Sequence, residues 1–470
     1  MPAMFRADGD VGRHVRVGRE ILTRGEVPRV DSLSHTRPGG MWIPKEWASQ
    51  VAMATADEAA GLAGVAALAA IAFAASVWLI FGIGREAGAG VGTTLAAASL
   101  GLLLLLVHLL PRPHMATTAL LALETWLLVR ARGAESTGPL LALPLLFAVW
   151  ANLHGGFPIG IAVLGLFVMD AWIGTWQGEL SGQWTLRLTT VAGISLAATL
   201  VNPVGAGLWL HVSEHLGNSF FMSITQEFQS PNFHQPYGRL LLGSILLAAV
   251  IVAWRRPRIF RHEGLLFLMG LVAALGSARH ITVFAVISLP WLAVWASRAI
   301  DDAAETGTPL AARLRRRGSG LTRTEAQSGP ALPLLFGAAA ILVAVGPFGH
   351  RATFDPAEFP VAALQAHPPG TMAPELFNQM RWGGYILYAF PETRIFMDGH
   401  ADFFGEALTR EYLEIRHLAP GWEEGLDRHG VNWTLTMPMA PISQGLASSP
   451  NWRKVYEDRT AVIYTRIQAR

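Results

Sequence analysis

Residues 8–16 read Asp8-Gly9-Asp10-Val11-Gly12-Arg13-His14-Val15-Arg16. The chain continues through Val27-Pro28-Arg29-Val30-Asp31 to Lys45-Glu46-Trp47. Beyond this charged stretch the pattern changes abruptly, and long apolar blocks follow, the first at 59–83. Polar joints separate the blocks. That alternation is the signature of a polytopic membrane protein, because each crossing of a bilayer needs about 20 apolar residues.

Composition agrees. Of 470 residues, 51% are hydrophobic and only 15% are charged, where a soluble domain carries about 25%. That speaks against a water-soluble enzyme of this length and excludes disorder for most of the chain. The net charge of +2 makes no case for nucleic acid. There is no cysteine, so disulfides, thiolate metal sites and cysteine nucleophiles are excluded. Lys45 and Lys454 are the only lysines; the other basic residues are arginines.

Apolar spans are expected near 59–83, 93–110, 115–130, 138–151, 157–176, 187–201, 238–254, 264–277, 281–298 and 331–348. The fold class expected is therefore mainly α, with about ten transmembrane helices. Three regions follow: an extracytoplasmic loop 1–57 with an acidic motif, a helical membrane region 58–348, and a soluble extracytoplasmic α/β region 349–470. In the last, strands are expected at 394–397, 431–437 and 461–465, and a helix at 407–417. The basic stretch 299–330 reads as a flexible linker, and no internal repeat is evident.

Arginine sets the expected topology. Arg255, Arg256, Arg258 and Arg261 form one basic joint, and Arg313, Arg315, Arg316, Arg317 and Arg323 a second. With both on the cytoplasmic side of a plasma membrane, Arg130 and Arg132 also lie inside, while 1–57 and the C-terminal region lie outside. No signal peptide precedes 1–57, so a first transmembrane helix upstream of the given start is expected. The same count gathers acids, histidines and amides on the outer face. His114 belongs there, as do Asn152 and His154 in Trp150-Ala151-Asn152-Leu153-His154-Gly155-Gly156. Glu124 and Asp170 fall nearer the inner side, with Arg130 the expected partner of Glu124.

The spacing Asp-x-x-x-His-x-Arg, followed by a second Asp and by Pro38-Gly39, resembles the first outer loop of oligosaccharyltransferases, members of the GT-C glycosyltransferase superfamily. Arg381-Trp382-Gly383-Gly384-Tyr385, ahead of Arg394-Ile395-Phe396-Met397-Asp398, resembles their Trp-Trp-Asp-Tyr-Gly acceptor motif. Gly383 stands where that motif has Asp, which speaks against asparagine glycosylation. Through Asn-Leu-His-Gly-Gly, Asn202-Pro203, 229–234 and Ala278-Arg279-His280, the whole chain is similar to a bacterial GT-C-like membrane family. His400 stands where an Arg is expected.

The resemblance implies transfer of a sugar from a polyprenyl-phosphate donor to an acceptor on the outer face. Such transfer needs an acid at the reacting centre and cations for the departing phosphate. Asp10, Asp8 and Glu46 are the candidate catalytic acids. His14, Arg16, Asp31, Arg112, His154, Glu227, His234, Arg279 and His280 are the candidates for binding substrate. Trp382, Tyr385 and Asp398 are candidates for the acceptor side. Asp8 and Asp10 also form a carboxylate pair suited to Mg2+ or Mn2+. The expected partners are the bilayer and the lipid-linked donor. A transporter or flippase for an amphiphilic anion, or a non-catalytic scaffold with the same fold, are the competing readings. A relay of acids through the helix centres would mark the transporter; here the acids sit mostly in the outer joints.

Overall fold

The computed structural model describes residues 8–328 and 352–467. The apolar blocks up to residue 298 all fall on helices, and the expected span 331–348 lies outside the described residues. Among the described residues, four helices are long and apolar enough to cross a bilayer: Leu62–Glu86, Val91–His108, Pro158–Trp176 and Pro236–Arg255. The pair Ala278–Ile287 and Leu289–Glu305, bent by 45°, makes a fifth if it is one broken span. Pro139–Leu153 is apolar but shorter. These helices share one core, in which Trp150, Phe147, Phe157, Phe284 and Trp291 are buried.

The charged N-terminal segment, expected as a loop, carries two helices joined by an irregular stretch. Asp10–Arg24 and Trp47–Ala60 are both helices. Val11, Val15 and Ile21 are buried on one face of the first, the spacing of an amphipathic helix. Gly25 ends it in the left-handed conformation (φ 70°), its N–H returned to the Ile21 carbonyl.

Residues 352–467 carry a four-stranded sheet in the order β1-β2-β4-β3, formed by β1 Leu376–Asn378, β2 Trp433–Thr436, β3 Trp452–Glu457 and β4 Val462–Arg466. β1 and β2 are parallel; β4 is antiparallel to both β2 and β3. Helix Ala401–Arg416 covers the expected helical stretch. Two expectations are corrected. Arg394–Met397 forms no strand but only an isolated bridge between Ser34 and Ile395, because its neighbour is the N-terminal segment rather than the sheet. The basic stretch expected as a linker is helical at Pro309–Ser328, where proline at the first position is followed by Ala, Leu and Arg, good helix formers.

The core beneath the sheet does not stop at residue 352. Val11, Val15, Ile21, Trp42, Met53 and Val65 pack in the same cluster as Phe377, Trp382, Trp433 and Ile463. The contact is backbone on backbone. A Cβ on Gly12 would lie 2.1 Å from the Gly384 carbonyl oxygen, and one on Gly384 would lie 1.9 Å from that of Gly9. This explains why Trp382-Gly383-Gly384-Tyr385 needs its second glycine: it is the seat of the N-terminal helix.

Gly384→Ala is expected to cost about 1–3 kcal/mol through overpacking and to lower the melting temperature in detergent. Gly193→Ala, in a helix where a Cβ meets nothing within 4 Å, is expected to leave it unchanged or raise it slightly. Equal melting of the two variants would contradict the backbone seat.

Candidate active site

A cleft of about 470 Å³ opens where the N-terminal helix, the joints between the membrane helices and residues 399–402 converge. Its walls are set by local geometry. Pro111 and Pro113 bracket Arg112 between two helices, and Pro113 caps the second, His114–Gly133. His154 follows helix Leu143–Leu153 in extended conformation (φ −164°, ψ 143°). A Cβ on Gly156 would meet Thr117 Oγ1 at 2.6 Å and His154 Nδ1 at 2.8 Å, so only glycine lets the backbone pass there.

The carboxylates are paired in a definite pattern. Asp8 is fully buried. Arg112 donates from Nε to Asp8 Oδ2 at 2.7 Å and approaches Asp8 Oδ1 with Nη2 at 2.6 Å; the same Nη2 lies 3.2 Å from Asp10 Oδ2. The Asp10 amide donates to Asp8 Oδ1 at 3.0 Å. Burial raises the pKa of Asp8, and Arg112 pulls against it. Arg13 approaches Asp398 at 3.2 Å, both buried. Burial pushes Asp398 up to about 6 in spite of Arg13. Arg279 faces Glu227 at 3.8 Å and lies over the Phe228 ring.

Asp402 gathers Lys45, His211 at 3.1 Å and His400 at 3.4 Å. Burial alone would raise its pKa, but Lys45, His400 and His211 together hold it well below the usual carboxylate range. Glu46 stands between His14 at 3.8 Å and His154 at 3.7 Å. Burial keeps both imidazoles well below their ordinary pKa, helped by Arg13 at His14 and by Arg279 at His154.

Of the residues expected from sequence, Asp10, His14, Glu46, Arg112, His154, Glu227, Arg279 and His280 line the cleft. Asp8 and Asp398 lie behind it, each on an arginine that lines it. The others are elsewhere. Arg16 donates to the Pro391 carbonyl and Glu20. Asp31 caps its own turn through Leu33 and Ser34. His234 is exposed beside Asn232. Trp382 is buried with its indole N–H on the Glu358 carbonyl, and Tyr385 packs on Phe354 and Phe359. Sequence reasoning did not select Arg13, Lys45, His211 or Asp402. Lys45 carried a signal, as one of only two lysines, and Arg13 lies one helical turn from Asp10.

Among the described residues, no group of three or more His, Asp or Glu side chains is placed to hold a metal ion. Both oxygens of Asp8 engage Arg112.

At the other end of His114–Gly133, Arg132 and Arg261 both donate to buried Asp170, at 2.7 and 2.9 Å. Glu124, in mid-helix, is not paired with Arg130 as expected. Its carboxylate is buried without a hydrogen-bond partner among the described residues, and Arg130 lies over Trp126.

The arrangement, membrane helices with an N-terminal helix that opens on Asp10 and packs against a C-terminal α/β segment, is a GT-C-like fold. It is similar to ArnT from Cupriavidus metallidurans, solved without ligand, over 99% of this chain and 94% of that one, at 17% identity and a TM-score of 0.54. ArnT bound to undecaprenyl phosphate matches at 16% identity, over 99% of this chain and 95% of that one, with a TM-score of 0.54. The archaeal oligosaccharyltransferase AglB from Archaeoglobus fulgidus, in complex with an inhibitory peptide and a dolichol-phosphate, matches at 12% identity and a TM-score of 0.55, over 98% of this chain and 71% of that one. No family model and no curated protein sequence matches the chain.

Asp402→Asn is expected to destabilise the protein by about 3–5 kcal/mol near pH 7, because it strands the largely buried Lys45. Since the folded pKa of Asp402 is depressed, its contribution is complete above about 4, the unfolded value, and fades as pH falls below it. Melting curves of both proteins should therefore converge in acid and separate at neutral pH.

Proposed function

We propose that this chain is a membrane glycosyltransferase that moves a sugar from a polyprenyl-phosphate donor to an acceptor on the extracytoplasmic face. The observation that carries the reading is the cleft itself. It sets Asp10 beside Arg112, with Arg13, Lys45 and Arg279 around it, at the ends of helices long enough to cross a bilayer. Two proteins of the same fold were solved with polyprenyl-type phosphates, undecaprenyl phosphate and a dolichol-phosphate.

The chemistry follows from the geometry. The bond between the anomeric carbon and the phosphate oxygen breaks, and its electron pair leaves on the phosphate. Arginine matches phosphate with its planar fork, and Arg112 and Arg279 are the cleft guanidiniums with appreciable exposure. The Asp10 carboxylate, partly open to the cleft, stabilises positive charge as it develops on the sugar ring. Residues 399–402 form the acceptor-side wall. In this orientation Arg130, Arg132 and the basic joint 255–261 stay on the cytoplasmic side.

The test is transfer in membranes from radiolabelled polyprenyl-phosphate sugars. Asp10→Asn is expected to lower the rate by about 10²–10³-fold, the size of losing one preorganised electrostatic contact. Equal transfer by the variant and the native chain would move the charge-stabilising acid elsewhere. No transfer by folded native protein with any such donor would return the transporter and scaffold readings.

A further inference from the structure

We propose that Glu46 is the general base of the reaction, that His154 is fixed as the hydrogen-bond donor that positions it, and that the acceptor is therefore a hydroxyl group. The inference rests on the glycosyl-transfer reading above and divides its acids into two roles.

Five carboxylates in or behind the cleft are engaged by permanent cations: Asp8 and Asp10 by Arg112, Asp398 by Arg13, Asp402 by Lys45 and Glu227 by Arg279. A carboxylate held by a guanidinium or an ammonium is a weakened base. Glu46 differs. Among the described residues no Arg or Lys side chain lies within ion-pair distance of it, and its partners are the imidazoles of His14 and His154. Its side chain is 12% exposed and lines the cleft. The charged and titratable groups that face it are Arg13 and His14 from helix Asp10–Arg24, and His154 from the end of helix Leu143–Leu153.

The histidine's protonation can be read from its neighbours. The Gly156 amide donates to His154 Nδ1 at 3.0 Å. A backbone N–H has no lone pair to offer, so Nδ1 carries the lone pair. The proton of the neutral ring is therefore on Nε2, the atom that faces Glu46 Oε1. Thr117 Oγ1 also lies 2.8 Å from Nδ1, and accepts from the Trp150 indole at 2.8 Å. Nδ1 is thus committed, and His154 cannot take a proton there without losing the Gly156 amide. The same segment fixes Glu46 in register. Trp47 donates to Asn152 at 2.7 Å, and Ser49 to the Leu153 carbonyl at 2.7 Å. The 3.7 Å gap between His154 and Glu46 is the kind that closes when substrate binds.

The step balances as follows. The acceptor O–H gives its proton to the Glu46 carboxylate. The acceptor oxygen forms a bond to the anomeric carbon, and the polyprenyl phosphate departs with the electrons of the broken bond. An acceptor that is already an anion, such as a phosphate, would need no such base.

The experiment measures transfer and donor binding for the full chain in membranes, with polyprenyl-phosphate sugar as donor. Glu46→Gln is expected to lower kcat by about 10²–10⁴-fold while the donor KM changes little, and Glu46→Asp to recover part of the rate. His154→Ala removes the donor that positions the carboxylate and is expected to lower kcat while the donor KM changes little. His154→Gln, whose amide N–H replaces the lost donor, should recover part of that kcat. A Glu46→Gln rate near that of the native chain overturns the proposal, as does an unchanged kcat in His154→Ala or a His154→Gln rate no better than that of His154→Ala. So does nitrogen NMR showing His154 protonated on Nδ1. Unaltered donor binding by each variant shows that it is folded. A native chain that transfers nothing overturns the transferase reading itself, and is distinguished by that from failure of Glu46 alone.

Discussion

The structure is organised around one contact, Arg112 held between the buried Asp8 and the partly open Asp10. Removing an ion from water costs several kcal/mol, and the loss is recovered only when geometry and hydrogen bonds are good. Here Arg112 meets Asp8 twice, at 2.7 and 2.6 Å. The pair ties the start of the N-terminal helix to a joint between two membrane helices, and so sets where that helix lies. Gly9 and Gly12 of the same stretch then provide the surface on which Gly384 rests. The C-terminal sheet is thereby placed over the membrane helices by way of the N-terminal segment, and the cleft is the space left where the three meet.

Charge in the cleft is balanced before any ligand arrives. Each permanent cation named above already has a carboxylate, and burial holds His14, His154 and His400 below their ordinary pKa, so they are neutral near pH 7. An incoming phosphate must therefore share cations with the resident acids rather than fill a vacant positive pocket. Such sharing favours a ligand that neutralises some carboxylates by other means, for instance through a developing positive charge on a sugar ring or a proton delivered to an acid. Both ends of the proposed reaction provide this.

Much of this was legible in the sequence. Apolar length announces helices because a bilayer leaves few alternatives, and arginine-rich joints oppose acid-bearing ones along the chain. What was not legible was tertiary. Lys45, His211 and Asp402 come from three distant stretches, and nothing in their local spacing announces that they meet. The N-terminal helix was hidden by its glycines, which lower helix propensity but permit the backbone contacts with Gly384 and Gln50. The run 394–397 has strand composition, yet its edge is taken by Ser34 rather than by the sheet. Glu124 looked pairable with Arg130, but it faces Gly160 and the edge of Trp150 instead.

The segment Asn152-Leu153-His154-Gly155-Gly156 shows why a bland and a functional reading need not compete. A histidine at the end of a broken helix can serve simply to satisfy a stranded amide, and His154 does accept the Gly156 N–H. That act of satisfaction decides the tautomer, because a ring nitrogen that accepts cannot also hold the neutral ring's proton. The proton is then forced to the side facing Glu46. Gly156 is needed for the same reason, since a side chain there would collide with Thr117 and the His154 ring. The backbone repair that lets the chain turn is thus also what orients the imidazole, and the chemistry available to Glu46 is set by how a helix ends.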